Sequence, residues 1–191
     1  MAIQKGLIIR KAIHLSLGLL ILILSFVLER NVLLYLVIAG TVFSFVTFNY
    51  RKFYLLHKTA DDSLGTLYYP VGILSSYLIL YNLPLYYFQS SLMLLSLSDT
   101  LANFVGHIQK GNSWVRTFHD RKSIYGIIAY TLSAIPVIYL FLPASLTSDI
   151  PYILFLLLWA VILETASMRG SDNFTIPAGL ALFFFLTHHY E

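Results

Sequence analysis

The chain has 191 residues, of which 58% are hydrophobic and only 11% charged, with a net charge of +3. With a mean hydropathy of +0.77, so few charges cannot cover the surface of a soluble domain of this size. A soluble enzyme, a disordered chain and a nucleic-acid-binding domain are thereby excluded as leading readings. What remains is an integral membrane protein whose length suits a single multi-pass domain over 1–191. There is no cysteine, so disulfides, thiolate nucleophiles and thiolate metal sites are excluded as well.

A helix needs about 20 apolar residues to cross the hydrocarbon core. In chain order the apolar runs predict about seven such helices, at roughly 7–28, 32–48, 67–82, 90–106, 124–142, 150–166 and 174–188. The runs are continuously apolar rather than alternating with period two, which argues for an all-α bundle and against a barrel. The first run follows Lys5, Arg10 and Lys11 but extends to Leu28 without a small-residue cleavage pattern, so it reads as a retained helix rather than a signal peptide. Several runs are short, and one or two of these helices are expected to be tilted or partly inserted.

The loops alternate in basic residues. With the N-terminus in the cytoplasm, eleven of the twelve Lys and Arg face the cytoplasm and only Arg30 lies outside. The positive-inside rule then gives an N-in, C-out topology. The two longest polar stretches, 49–66 and 107–123, fall on the cytoplasmic side, where functional groups are expected to gather.

Ionisable residues inside apolar runs cost about 2.5–3.5 kcal/mol each on insertion scales and are functional candidates by default. His14 lies in the first run, Asp99 in the fourth and Glu164 near the end of the sixth, while Asp172 and Asn173 open the seventh. The alternating topology puts all of them at one depth, close to the cytoplasmic Lys110, Arg121 and Lys122. Carboxylates beside lysine and arginine suit a metal ion bound to a polyphosphate. Each residue also has a plainer role open to it. His14 suits a hydrogen-bonded residue near a helix end, Asp99 with Asn103 a helix–helix hydrogen bond, and Glu164 an interface position. Asp172 suits a helix N-cap, and Lys122 and Arg121 ordinary positive-inside charges. A shared depth for all of them is what the plainer roles leave unexplained.

Three further segments belong to the same face. Gly65 to Gly72 opens the third helix with small residues that allow close backbone approach, with Pro70 and the interfacial tyrosines Tyr68 and Tyr69 among them. Gly106-His107-Ile108-Gln109-Lys110-Gly111 lacks the glycine spacing of a P-loop or a dinucleotide fingerprint. Pro177 lies inside the seventh run, where it frees a backbone carbonyl and predicts a helix lining a polar cavity.

An ordered set of segments now stands out: Arg10 to His14, Gly65 to Gly72, Ser98-Asp99-Thr100-Leu101-Ala102-Asn103 with Lys110-Gly111, Lys122-Ser123-Ile124-Tyr125-Gly126, and Glu164 with Asp172-Asn173-Phe174-Thr175-Ile176-Pro177. This set, spread over most of the chain, resembles the dolichol kinase and phytol kinase family, which is related to the membrane phosphatidate cytidylyltransferases. The chain departs from the family pattern at Ser98, where glycine is usual, and at Tyr125, where glutamate is usual.

The resemblance implies a membrane phosphotransferase moving the γ-phosphate of CTP to a lipid alcohol, either a polyprenol or other isoprenoid alcohol or diacylglycerol. Asp99, Asp172 and Glu164 would hold Mg²⁺. Lys122, Arg121, Lys110, Asn103, Asn173 and Gly126 would bind the nucleotide. A carboxylate of Asp99 or Glu164, or His14, would take the hydroxyl proton. The alternatives are synthesis of a CDP-lipid and a non-catalytic binding or transport protein. Membrane lipids are expected partners and nucleic acid is not; the sequence leaves a homo-oligomer open.

Overall fold

The structure, a computed structural model, describes residues 2–48, 64–108, 114–116, 121–168 and 170–188. Helices occupy all seven of the predicted apolar runs. They are α1 (Ala2–Val27), α2 (Arg30–Phe48), α3 (Gly65–Ile79), α4 (Leu85–Met93), α5 (Asp99–Ile108), α6 (Ile124–Phe141), the short α7 (Ala144–Thr147), α8 (Ile150–Ala166) and α9 (Asp172–Thr187). α4 and α5 are one helix at the sequence level, but residues Leu94–Ser98 between them wind as a π-helical turn.

The fold differs from a purely helical reading at one place. Trp114–Arg116 (β1) and Arg121–Ser123 (β2) form a two-stranded antiparallel ribbon with Val115 opposite Lys122. Length distinguishes among these helices. Among the described residues three helical stretches are long and apolar enough to cross a membrane: Ile9–Val27, Arg30–Phe48 and Ile124–Phe141. Ile150–Ala166 and Asp172–Thr187 are apolar but shorter.

α4 and the π turn form the centre of the bundle. Tyr87 through Leu95 are buried without a break, and the polar Gln89, Ser90 and Ser91 among them are all hydrogen-bonded. Tyr130, Ile138, Leu156, Ile176 and Phe184 close around them from α6, α8 and α9. By contrast, α1 and α2 turn large apolar side chains outward, with Phe26 67%, Tyr35 68% and Phe43 59% exposed. Apolar exposure on this scale is untenable in water and normal against lipid tails, which associates the chain with a membrane.

Interhelical hydrogen bonds add specificity where apolar packing has little direction. Ser76 Oγ meets Ser91 Oγ at 2.7 Å, Gln89 Nε2 donates to Ser25 Oγ at 2.9 Å and Trp159 Nε1 donates to the Gly179 carbonyl at 3.0 Å. Arg30, the basic residue expected on the opposite face, donates to the Tyr81 carbonyl at 2.7 Å where α2 begins and α3 has ended.

Two glycines fix the helix contacts that build the site. A Cβ at Gly72 of α3 would stand 2.2 Å from the Asn173 carbonyl oxygen and 2.9 Å from Phe174 Cα of α9. The Asn173 carbonyl is the one that Pro177 frees, four residues on, and it lies against the α3 backbone rather than lining a polar cavity. A Cβ at Gly126 of α6 would stand 2.9 Å from the Ala102 carbonyl oxygen of α5. Gly126, expected to bind nucleotide, therefore packs one helix against another.

Gly72→Ala should lower stability by about 1–3 kcal/mol, because the α3 and α9 backbones must part to admit the methyl group. Gly40→Ala, with nothing within 4 Å of the new Cβ, should leave stability unchanged or slightly raised. Thermal unfolding in detergent distinguishes the two variants.

Candidate functional site

Sequence-distant elements deliver charged groups to one end of the bundle. Asp99 opens α5 directly after the π turn, Glu164 sits in the last turn of α8, Asp172 opens α9 and Lys122 comes from β2. One carboxylate oxygen from each of Asp99, Glu164 and Asp172 lies within 4.8 Å of the other two, and all three side chains are buried. The common depth inferred from loop alternation thus becomes direct proximity. π turns are frequent at functional sites, and this one sets the rotation of Asp99 relative to the buried face of α4.

Each carboxylate has a distinct neighbour. Lys122 Nζ donates to Glu164 Oε1 at 2.7 Å. Asn103 Nδ2 donates to Asp99 Oδ1 at 2.7 Å and to the Asp99 carbonyl at 2.8 Å. Asn103, expected to contact nucleotide, thus holds Asp99 from one turn further along the same helix. The backbone N–H of Asn173 donates to Asp172 Oδ1 at 2.9 Å, at the positive end of the α9 dipole. The side chain of Asn173 anchors α3 by donating from Nδ2 to the Gly65 carbonyl at 2.8 Å.

Lys11 is the site residue that sequence reasoning missed. It counts as one more positive-inside charge in the sequence, yet it is only 5% exposed and its ammonium pairs with Asp99 Oδ2. A signal existed: Lys11 and His14 are three residues apart and share one helix face, so a buried His14 implies a buried Lys11.

Lys122 lies on β2, outside the long helices. Burial works against its charge, but the Glu164 carboxylate, then Asp172, the hydrogen bond to Glu164 and the charge of Asp99 outweigh it. The ammonium is lifted above the usual lysine range. The stabilisation this gives is complete below the ordinary lysine value and fades only as pH rises through the higher folded value.

The donor set fits a hard divalent cation. Glu164 Oε2 and Asn173 Oδ1 are buried oxygens with no hydrogen-bond partner, and unpaired buried acceptors are costly unless something positive meets them. Carboxylate and amide oxygens are the ligands that Mg²⁺ takes.

The remaining expected residues fall elsewhere. His14 is buried on α1, stacked on Tyr69 at 4.1 Å between ring centroids. It lines an apolar groove between α1, α2 and α3. Tyr125, which stands where the resembled family has glutamate, is 46% exposed. Arg121 is placed by its backbone in β2, whereas its side chain and the whole of Lys110 lie outside the described residues.

An uncharacterized protein of Methanocaldococcus jannaschii, MJ1137, is 23% identical over 181 residues, covering 89% of this chain and 88% of its own length. No family model matches the chain, and no solved structure matches it.

Truncating Lys11 leaves Asp99 buried without its ammonium, so Lys11→Met should cost about 3–5 kcal/mol. Lys11→Met combined with Asp99→Asn should recover much of that loss. A double-mutant cycle read by thermal unfolding in detergent measures the coupling.

Proposed function

We propose that the chain is a multi-pass membrane phosphotransferase that moves the γ-phosphate of a nucleoside triphosphate, CTP in the first instance, to a lipid alcohol. The observation carrying this reading is the buried group of Asp99, Glu164 and Asp172, paired with Lys11 and Lys122 at one end of an apolar bundle. The loop charges support an N-in, C-out arrangement of seven helices with this end at the cytoplasmic face, where nucleotide is available.

In this reading Asp99, Glu164 and Asp172, with Asn173 Oδ1, would hold Mg²⁺, which would supply charge to offset the polyphosphate. Lys122, at the end of a ribbon that borders the site, contacts the phosphates as a permanent cation. Asn103 fixes Asp99, and Lys11 compensates its charge. The alcohol oxygen forms a bond to the γ-phosphorus while the bond from that phosphorus to the β–γ bridging oxygen breaks. The hydroxyl proton passes to a carboxylate of Asp99 or Glu164 or to His14, and the nucleoside diphosphate leaves. Beyond accepting that proton, the protein contributes positioning and charge neutralisation to such a transfer.

The test is transfer of label from γ-labelled CTP, in detergent with Mg²⁺, to a panel of farnesol, geranylgeraniol, phytol, long polyprenols and dioleoylglycerol. Label should enter lipid, and Asp99→Asn and Asp172→Asn should each lower the rate at least a hundredfold while Tyr125→Phe leaves it near wild type. Pyrophosphate release with formation of a CDP-lipid from phosphatidic acid would replace this reading with nucleotidyl transfer. Absence of both reactions would make the chain a non-catalytic membrane protein.

A further inference from the structure

The groove between α1, α2 and α3 has a polar end and an apolar end. His14, Ser44 and Thr66 mark the first; Leu24, Leu33 and Ile73 mark the second. Between them Gly40 of α2 contributes no side chain, and a Cβ there would meet nothing within 4 Å. The lips are open to the side, with Leu20 51% and Leu36 47% exposed. The polar end adjoins the carboxylate group through two links. Lys11, one turn before His14, pairs with Asp99. The Tyr69 hydroxyl bonds both the His14 carbonyl and Ser96 Oγ, three residues before Asp99. His14 itself is 4% exposed, and its Nδ1 is buried with no hydrogen-bond partner.

We infer that this groove is the binding site for one lipid chain, and that it selects single-chain alcohols over two-chain diacylglycerol, with His14 Nδ1 accepting a hydrogen bond from the lipid hydroxyl. The alcohol headgroup rests on the phosphotransferase reading above; the single apolar chain rests on the groove. From His14 to Leu24 a helix rises ~15 Å, the length of about a dozen chain carbons. The cavity of about 380 Å³ lies at the low end of small-ligand sites, which run to roughly 1,000 Å³, and takes one chain rather than two. Longer tails leave through the open side between Leu20 and Leu36. Gly40 is the specificity-determining residue, because a side chain at that position occupies the space the tail needs.

The experiment uses a diazirine-bearing farnesol analogue with the full chain in detergent, without nucleotide. Crosslinked peptides are mapped by mass spectrometry, and transfer from γ-labelled CTP is assayed separately. Labelling should fall on α1 and α2 residues such as Leu17 and Leu36, and excess farnesol should compete where dioleoylglycerol does not. Gly40→Leu should cut labelling at least tenfold with an unchanged unfolding temperature. His14→Phe should weaken farnesol competition about tenfold while leaving the labelled positions the same. Labelling spread over lipid-facing helices without competition would overturn the groove, and equal competition by dioleoylglycerol would overturn the single-chain selectivity. Specific labelling of the groove without phosphoryl transfer would uphold the groove and overturn the phosphotransferase reading. Transfer that Gly40→Leu leaves untouched would do the reverse.

Discussion

Three carboxylates that approach within 4.8 Å inside an apolar bundle are the constraint on which the other features of this molecule depend. Desolvating each ion costs several kcal/mol even after relaxation, and their mutual repulsion adds to it. Two lysines answer this demand. Lys11 arrives from α1 to meet Asp99, and Lys122 arrives from the β-ribbon to meet Glu164. Asp172 has the N-terminal backbone of its own helix instead. Beyond these pairings, the buried Oε2 of Glu164 and Oδ1 of Asn173 have no hydrogen-bond partner and lie among the residues that would receive a cation.

Much of the packing exists to hold these groups at one end. The close approach of α3 and α9 at Gly72 brings Asn173 within reach of the Gly65 carbonyl, which ties the Asp172 end of α9 to the start of α3. Contact of α5 with α6 at Gly126 joins the helix carrying Asp99 to the helix that follows Lys122. The π turn at Leu94–Ser98 changes the rotation of the chain between the fully buried α4 and the half-polar α5. Each of these features fixes the position of one of the site's charged groups.

The helical segments were legible because outward-facing and core-facing positions are both apolar, so each helix reads as a nearly unbroken run; α8 matches its predicted bounds, Ile150–Ala166. The proximity of Asp99, Glu164 and Asp172 agrees with the shared depth expected from the charges of the loops. Other features were not legible, the β1–β2 ribbon among them. Lys11 carries the same charge whether it serves topology or neutralises Asp99, and only its shared helix face with His14 hints at the second. The π turn has no compositional signature, since Leu94–Ser98 is as apolar as its surroundings. The groove along α1, α2 and α3 is a gap between helices, and a sequence encodes the helices more plainly than the space they leave.

If the carboxylate group exists to hold a divalent cation, that property must be present before any lipid or nucleotide is bound. The direct measurement is Mn²⁺ binding to the purified chain in detergent, followed by electron paramagnetic resonance, with Glu164→Gln and Asp172→Asn alongside. The account predicts one bound Mn²⁺ per chain, displaced by Mg²⁺ and lost or weakened at least tenfold in both variants. Binding that is absent at millimolar Mn²⁺, with or without CTP, or that both variants retain unchanged, would contradict it.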